Sequence, residues 1–345
     1  MRAAFVYANS RGDLLAAVER GEEPDSGLYG LRQLPAYGIR TELCDPLLSR
    51  ITLRSPLDRI AWNAREVVAP FEIWGADVVV TPLAALFPAV ARVRRLPVVL
   101  LNFGLNLIWR RASAARRALM RTSLRSAGRV VCLGSAQRDE LVQMTGLDAE
   151  HVITMLVPID AEFFRPELDV PRSGILAVGK DLARDYATLA DAIRDVDASS
   201  TVVAHRRNLE GVMLPATTTV ASGLASSELR DEYARAGCVV VPQRAADFPY
   251  GSEAGGLTAL LEAMAMGKAI VATDRPVLRD YVDDGVEALL VPAEDPEAMR
   301  EAIERVLSDD DLALRLGGAA RARVERDHTS DVFASRLAPV LRSVV

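Results

Sequence analysis

Two carboxylates, Glu253 and Glu262, flank a glycine pair in the stretch F-P-Y-G-S-E-A-G-G-L-T-A-L-L-E-A-M-A-M-G-K-A-I-V-A. Ionised carboxylates accept hydrogen bonds from hydroxyl groups. Gly255 and Gly256 open an apolar run, and free backbone N–H groups at a helix start favour anions such as phosphate. Carboxylates that take sugar hydroxyls, on either side of amides that take phosphate, are what a nucleotide-sugar site requires. Glu262 is the only charge within 257–266. Among leucines and methionines it needs either water on a solvated face or a partner such as a ligand hydroxyl. A second chemical group stands at Gly179-Lys180, with Arg184 four residues beyond Lys180. Two cations in a loop that follows a strand could hold a diphosphate, or they could be solvated surface charges.

The elements that must position these groups follow from periodicity. Leu257, Leu260, Leu261, Met264 and Ala265 recur at spacings of three and four, which predicts a helix over 257–266 with those residues on one face. Gly267 should end it, and 269–272 reads as a buried strand. Strand-like runs at 174–178, 201–204, 218–221 and 238–241 alternate with helical patterns at 186–196, 227–236, 296–307, 312–326 and 332–344. Before them, strands are expected at 3–7, 39–44, 78–80, 98–101, 130–133 and 152–157. Helices are expected at 28–37, 57–70, 83–94 and 135–145, with Ser135 as a cap, and 9–27 reads as a loop. Such alternation implies parallel sheets wrapped by helices.

Pro158, Pro166 and Pro171 bracket a charged stretch and mark an interdomain linker. The expected domains are 1–165 and 166–345. The last helix, about 330–345, is left open to packing back on the first domain.

The residues from Glu253 onward resemble the donor-site signature of the family 4 retaining glycosyltransferases, also described as glycosyl transferases group 1. Those enzymes show E-G-F-G-L-x-x-L-E-A-M-A-x-G-K-P-V-V-A, where this chain has E-A-G-G-L-T-A-L-L-E-A-M-A-M-G-K-A-I-V-A. D-D-G-V-E-A-L-L-V-P-A-E-D-P-E-A-M is similar to the family's D-G-x-x-G-x-L-V-P-x-x-D-P-E-A-L. G-K-D-L-A-R stands where the family has G-R-x-x-x-x-K, and L-V-P-I-D-A-E-F-F-R-P where it has I-P-N-G-V-D-x-x-x-F-x-P. One departure concerns the carboxylates. Eight residues separate Glu253 from Glu262 where the family has seven, so strict spacing would put Ala254 in the first position, and one extra loop residue would restore Glu253.

The resemblance implies a GT-B fold, two Rossmann-like domains facing across a cleft. The N-terminal one would bind the acceptor and the C-terminal one the donor. It implies sugar transfer from a nucleoside-diphosphate sugar to an acceptor hydroxyl with retention, and no metal or other cofactor. Glu262 would bind the ribose hydroxyls and Glu253 the transferred sugar. The amides of Gly255, Gly256, Leu257 and Thr258, with Gly179, Lys180 and Arg184, would bind the diphosphate. The reaction centre is thus assigned to Lys180, Arg184 and Glu253.

Some family members carry a donor-contacting histidine after the fourth N-terminal strand. Asn102 occupies that position here, and an amide cannot act as a general base. The family's N-terminal G-G loop is absent, with Ser26-Gly27 its nearest match. Both are assigned to the acceptor and sugar side. His205, opening H-R-R-N after a strand, is a further candidate for nucleotide contact. Two rival readings share the fold: a nucleotide-sugar epimerase, and a non-catalytic sugar-nucleotide-binding protein.

Composition bounds the alternatives. A net charge of −6 gives no general attraction to nucleic acid. Three scattered cysteines argue against a disulfide scaffold and fit a reducing cytoplasm. No signal peptide is read at the N-terminus, and no apolar run approaches the ~20 residues a spanning helix needs. Seven arginines and no acid lie between Trp109 and Arg129. On a continuous helix, Arg110, Arg117, Arg121 and Arg125 would share one face. That face is either solvated or suited to an anionic membrane surface at the inner face of the membrane, or to a phosphorylated lipid acceptor.

Overall fold

The computed structural model describes residues 1–50, 58–167, 169–252 and 254–345. Glu253 and the expected helix start at 57 therefore lie outside the described residues. The chain divides into two units. The first comprises Met1–Arg20, Asp25–Pro158 and Ser330–Val345, and the second Gly21–Pro24 and Ile159–Thr329.

In the first unit, β1 (Arg2–Val6), β2 (Arg40–Cys44), β3 (Val78–Thr81), β4 (Val98–Asn102), β5 (Arg129–Cys132) and β6 (Val152–Thr154) form one parallel sheet, ordered β2-β1-β3-β4-β5-β6. Every residue of β3 and β4 is buried. Continuous Val and Leu runs of this kind suit strands covered on both faces. Alternate residues divide between the two faces. Phe5, Val78, Val80, Val99 and Leu101 pack with Phe333, Ala334, Leu337 and Leu341. Val6, Val79 and Val98 pack on the opposite face with Ala69, Phe87 and Ala91.

The helices of this unit are α1 (Gly12–Glu19), α2 (Asp58–Glu72), α3 (Phe87–Val93), α4 (Leu105–Arg110), α5 (Ala114–Ser126), α6 (Ser135–Thr145) and the last helix of the chain, Ser330–Ser343. Several differ from the sequence expectation. The 9–27 stretch holds α1, because Val18 joins the core with Leu14 and Leu15 beside it, a short apolar face that periodicity alone does not reveal. The 28–37 stretch is not an α-helix. It makes turns ending in the 3₁₀ segment Leu34–Tyr37, since Gly30 (φ +81°) and Gly38 (φ +73°) take left-handed conformations. Gly134 rather than Ser135 is the N-terminal flank of α6. The arginine-rich segment is two helices, because Ser113 caps α5 by accepting from the Arg116 N–H at 3.3 Å.

In the second unit, β7 (Ser173–Val178), β8 (Ser200–Val203), β9 (Thr218–Ala221), β10 (Ala236–Val241), β11 (Ala269–Thr273) and β12 (Leu289–Val291) form a parallel sheet ordered β12-β11-β10-β7-β8-β9. Its helices are α7 (Tyr186–Ala192), α8 (Ser226–Arg235), α9 (Leu257–Ala265), α10 (Pro296–Ser308) and α11 (Asp310–Asp327), which makes the last helix α12. One face of the sheet packs Ile175, Ala177, Val202, Val240 and Val271 against Tyr186, Leu189, Met299 and Ile303. On the sheet, α9 contacts β10 and β11. Gly267 (φ +63°) ends α9 as expected. Its N–H donates to the Met264 carbonyl at 3.0 Å, and the Lys268 N–H donates to Ala263 at 3.0 Å. No helix among the described residues is long and apolar enough to cross a membrane.

Candidate functional site

The second sheet reverses direction at β7. The chain first builds outward through β8 and β9, then returns to place β10 on the other side of β7. In open α/β sheets, ligands bind at such a reversal, outside the carboxyl ends of the strands. The loops that meet there are 179–185 after β7 and 242–256 after β10. A backbone bridge between Arg184 and Gln243 joins them.

Arg184 is the main charge at this point. It is 6% exposed, and its Nε and Nη1 make no hydrogen bond among the described residues. The guanidinium lies on Gly179, where a Cβ would stand 2.0 Å from Nε, so only glycine leaves room. The Gly179 backbone is fixed by its N–H to the Val203 carbonyl at 3.0 Å, and by the Tyr186 hydroxyl donating to its carbonyl at 2.7 Å. Burying polar N–H groups without acceptors carries a cost. An incoming anion would remove that cost. Lys180, beside it, is exposed.

Glu262, on α9, is 8% exposed and accepts the Tyr233 hydroxyl at 2.8 Å. Burial pushes its carboxyl up to about 7, opposed by the Tyr233 hydrogen bond and by the charges of Arg184 and Lys180. Within this unit, Arg184 packs on Gly179, and the charges of Arg184 and Lys180 reach Glu262. Gly256 (φ +93°) precedes α9, with Leu257 and Thr258 in its first turn. Of the four amides assigned to phosphate, two are already engaged. The Gly255 N–H donates to Ser252 O at 2.9 Å and the Leu257 N–H to Ala254 O at 3.2 Å.

Two site residues escaped sequence reasoning. Gln243, 1% exposed, directly follows Pro242 at the end of β10. Its side-chain amide donates to the Gly255 carbonyl, and its Oε1 is buried without a hydrogen bond among the described residues. A Cβ on Gly256 would stand 2.9 Å from its Cδ, which explains the glycine. Asp181 accepts the Ala183 and Ser252 N–H groups, each at 2.8 Å. Their place immediately after strands that flank the reversal was the available signal.

His205 is exposed at the end of β8, opening the 3₁₀ turn Arg206–Asn208. Beside it lies a concavity of about 380 Å³ lined by Ala204, Arg206, Leu209, Glu210, Val220, Ala221 and Ser222. Asp195 and Asp197 form an Asp-x-Asp pair, but both are exposed before β8, at the opposite end of the sheet from the crevice.

The acceptor-side candidates belong to the first unit. Asn102, at the end of β4, is 1% exposed and internally engaged. Its Oδ1 accepts from Leu105 at 2.8 Å and Gly104 at 3.2 Å, and its Nδ2 donates to Asn106 Oδ1 at 3.0 Å. It fixes the start of α4. Ser26 and Gly27 lie in the 3₁₀ turn Asp25–Leu28. The four arginines do not form one face. Arg110 ends α4 and pairs with Glu140, Arg117 donates to the Trp109 and Arg110 carbonyls at 3.0 and 2.8 Å, and Arg121 donates to the Thr145 carbonyl at 2.8 Å. Arg117 and Arg121 thus close the carboxyl ends of α4 and α6.

With this geometry in place, comparison with known proteins bears on the second unit. Residues 206–323 match the family model described as "Glycosyl transferases group 1". The match takes in Gln243, Gly255, Gly256 and Glu262, and stops short of Gly179, Lys180 and Arg184.

Among curated relatives, phosphatidyl-myo-inositol mannosyltransferase of Mycolicibacterium smegmatis is 43% identical over 81 residues, 24% of this chain and 20% of that protein. Alpha-maltose-1-phosphate synthase of the same organism is 27% identical over 252 residues, 65% of each chain. The chain thus spans from a fifth to just under two thirds of the length of these two relatives. Among solved structures, sucrose-phosphate synthase of Thermosynechococcus elongatus aligns with a TM-score of 0.73 at 18% identity, covering 99% of this chain and 98% of that one. HepE of Anabaena, solved with UDP-glucose, aligns with a TM-score of 0.68 at 14% identity, covering 99% of both. At these identities the likeness is one of fold. The fold is GT-B.

Proposed function

We propose that the protein transfers a sugar from a nucleoside-diphosphate sugar to an acceptor hydroxyl with retention of configuration. The observation that carries this reading is Arg184, a buried guanidinium seated on Gly179 with Nε and Nη1 unbonded among the described residues, at the reversal of the sheet and within electrostatic reach of Glu262. A diphosphate supplies acceptors for those two nitrogens, and Lys180 adds a second cation at the same loop. The start of α9 contributes its positive end. Glu262 takes the ribose hydroxyls and Glu253 the transferred sugar. The family match over 206–323 and the UDP-glucose bound by the structurally similar HepE support this assignment.

Negative charge grows on the leaving diphosphate as the glycosidic bond breaks. Arg184 and Lys180 face that charge, so they stabilise the transition state more than the ground state. Their loss should lower turnover more than donor binding. No metal is required in this scheme, because two cations and a helix start neutralise the leaving group.

The test is a calorimetric titration with UDP-, GDP-, ADP- and dTDP-sugars, followed by NMR of the product formed with an acceptor panel. Binding of one donor class and a product of unchanged anomeric configuration are expected. An inverted product would reject retention, and binding of none of the four would reject the nucleotide-sugar reading.

A further inference from the structure

We propose that Asp181 is a positioning residue, a latch that holds the glycine loop before α9 against the cation loop after β7. The inference rests on the reading of this crevice as a nucleoside-diphosphate site. Both carboxylate oxygens are occupied by backbone amides. Oδ1 accepts the Ala183 N–H at 2.8 Å within its own loop, and Oδ2 accepts the Ser252 N–H at 2.8 Å from the loop after β10. The Asp181 carbonyl accepts as well, from the Asn208 side-chain amide at 2.8 Å and the Arg184 N–H at 3.2 Å. One residue thereby ties together the loops that follow β7, β8 and β10.

The opposing loop is shaped to this carboxylate. Gly251 has φ +91°, and a Cβ there would stand 2.3 Å from Asp181 Oδ1. A Cβ on Gly255 would stand 3.1 Å from the same oxygen. The latch therefore fixes where Gly255 and Gly256 lie relative to Arg184, and with them the start of α9. Only an ionised carboxylate offers acceptors on both oxygens. Asparagine would turn an NH₂ toward one of the two amides.

Charge and geometry make opposite predictions, which gives the test its direction. A carboxylate beside an anion site repels the anion, so removing the charge alone would tighten binding of a diphosphate. Removing the latch would weaken it. UDP, GDP, ADP and dTDP, with the matching monophosphates, are titrated calorimetrically into wild type, Asp181→Asn, Asp181→Ala and Gly251→Ala. Gly251→Ala disturbs the latch from the other side and leaves the carboxylate in place.

All three variants are expected to lose about tenfold in diphosphate affinity, the scale of one charge-assisted hydrogen bond. The loss of monophosphate affinity should be several times smaller, because a monophosphate reaches fewer of the aligned groups. Equal or tighter diphosphate binding in Asp181→Asn overturns the latch. A parallel fall for mono- and diphosphates also overturns it, since that marks general loss of structure. If wild type binds none of the diphosphates, the functional reading fails instead.

Discussion

Tyr233 donates its hydroxyl to Glu262 at 2.8 Å, and both side chains are buried. The bond favours the ionised carboxylate against burial, which has pushed the group up to about 7. Tyr233→Phe removes that support, so the carboxyl should titrate still higher. Donor binding that needs an ionised Glu262 should rise as pH passes 7 in wild type, and in the variant the rise should move to higher pH. Stability runs the other way. The folded carboxyl binds protons more tightly than the unfolded one, whose ordinary value is 4.5, so stability falls as pH rises from about 4.5 through 7. Glu262→Gln should flatten that fall. Identical pH profiles of binding for wild type and Tyr233→Phe would remove the hydrogen bond from the mechanism.

Arg184 separates stability from function. Arg184→Met keeps an apolar stem in contact with Gly179 while deleting a buried cation whose Nε and Nη1 lack hydrogen bonds among the described residues. Thermal stability without ligand should hold or rise. Binding of a nucleoside diphosphate should weaken by roughly 2–5 kcal/mol, the range for removing one partner of a buried charge pair. A variant both less stable and equally competent in binding would show that the cation serves the fold.

Much of this was legible in sequence because it rests on local patterns. The continuous Val and Leu runs announced strands buried on both faces, and the Leu257–Ala265 spacing announced α9. Gly267 stops the helix where a residue tolerant of positive φ was read. What stayed hidden depends on partners distant in the chain. Asp181 and Ser252 meet across 71 residues, and their places after strands say that they share a sheet edge but not that they bond. Asn102 is assigned to the sugar side by resemblance to the family's histidine position; its bonds to Gly104, Leu105 and Asn106, which hold the start of α4, are not legible from that resemblance. The arginine face is shorter than the four residues expected, with Arg117, Arg121 and Arg125 left together on α5. Ser113 breaks the helix, which moves Arg110 onto another element.

Arg121 gives a direct check of that last point. Its Nε donates to the Thr145 carbonyl at 2.8 Å, and its guanidinium lies 5.4 Å from the centre of the Trp109 ring. Both contacts stabilise the first unit, the first by closing the carboxyl end of α6. Arg121→Ala should therefore lower stability by about 1–2 kcal/mol in urea unfolding, combining a lost hydrogen bond with lost stacking. An exposed membrane-facing arginine would cost almost nothing in solution. An unchanged urea midpoint would return Arg121 to the role of a surface charge.

Lys268 tests the account of burial in the second unit. It is 2% exposed and donates to the Ala234 and Ala236 carbonyls at 2.5 and 3.2 Å, at the carboxyl end of α8. Burial lowers its ammonium from 10.5 to about 8, helped by the charge of Arg172 and opposed by Glu167. The folded state therefore releases this proton before the unfolded state does. Between pH 8 and 10.5 the unfolded chain binds more protons at this position, so the Lys268 contribution to stability rises with pH across that window. Buried tyrosines such as Tyr7 and Tyr233, raised by burial, oppose this in the whole protein, so the comparison must be with a variant. Lys268→Met keeps the stem and removes the titration. The unfolding free energy of wild type minus that of Lys268→Met should climb from pH 8 to 10.5 and be flat below pH 7. A difference that falls over the same window would mean that the two carbonyls hold the ammonium more strongly than burial disfavours it.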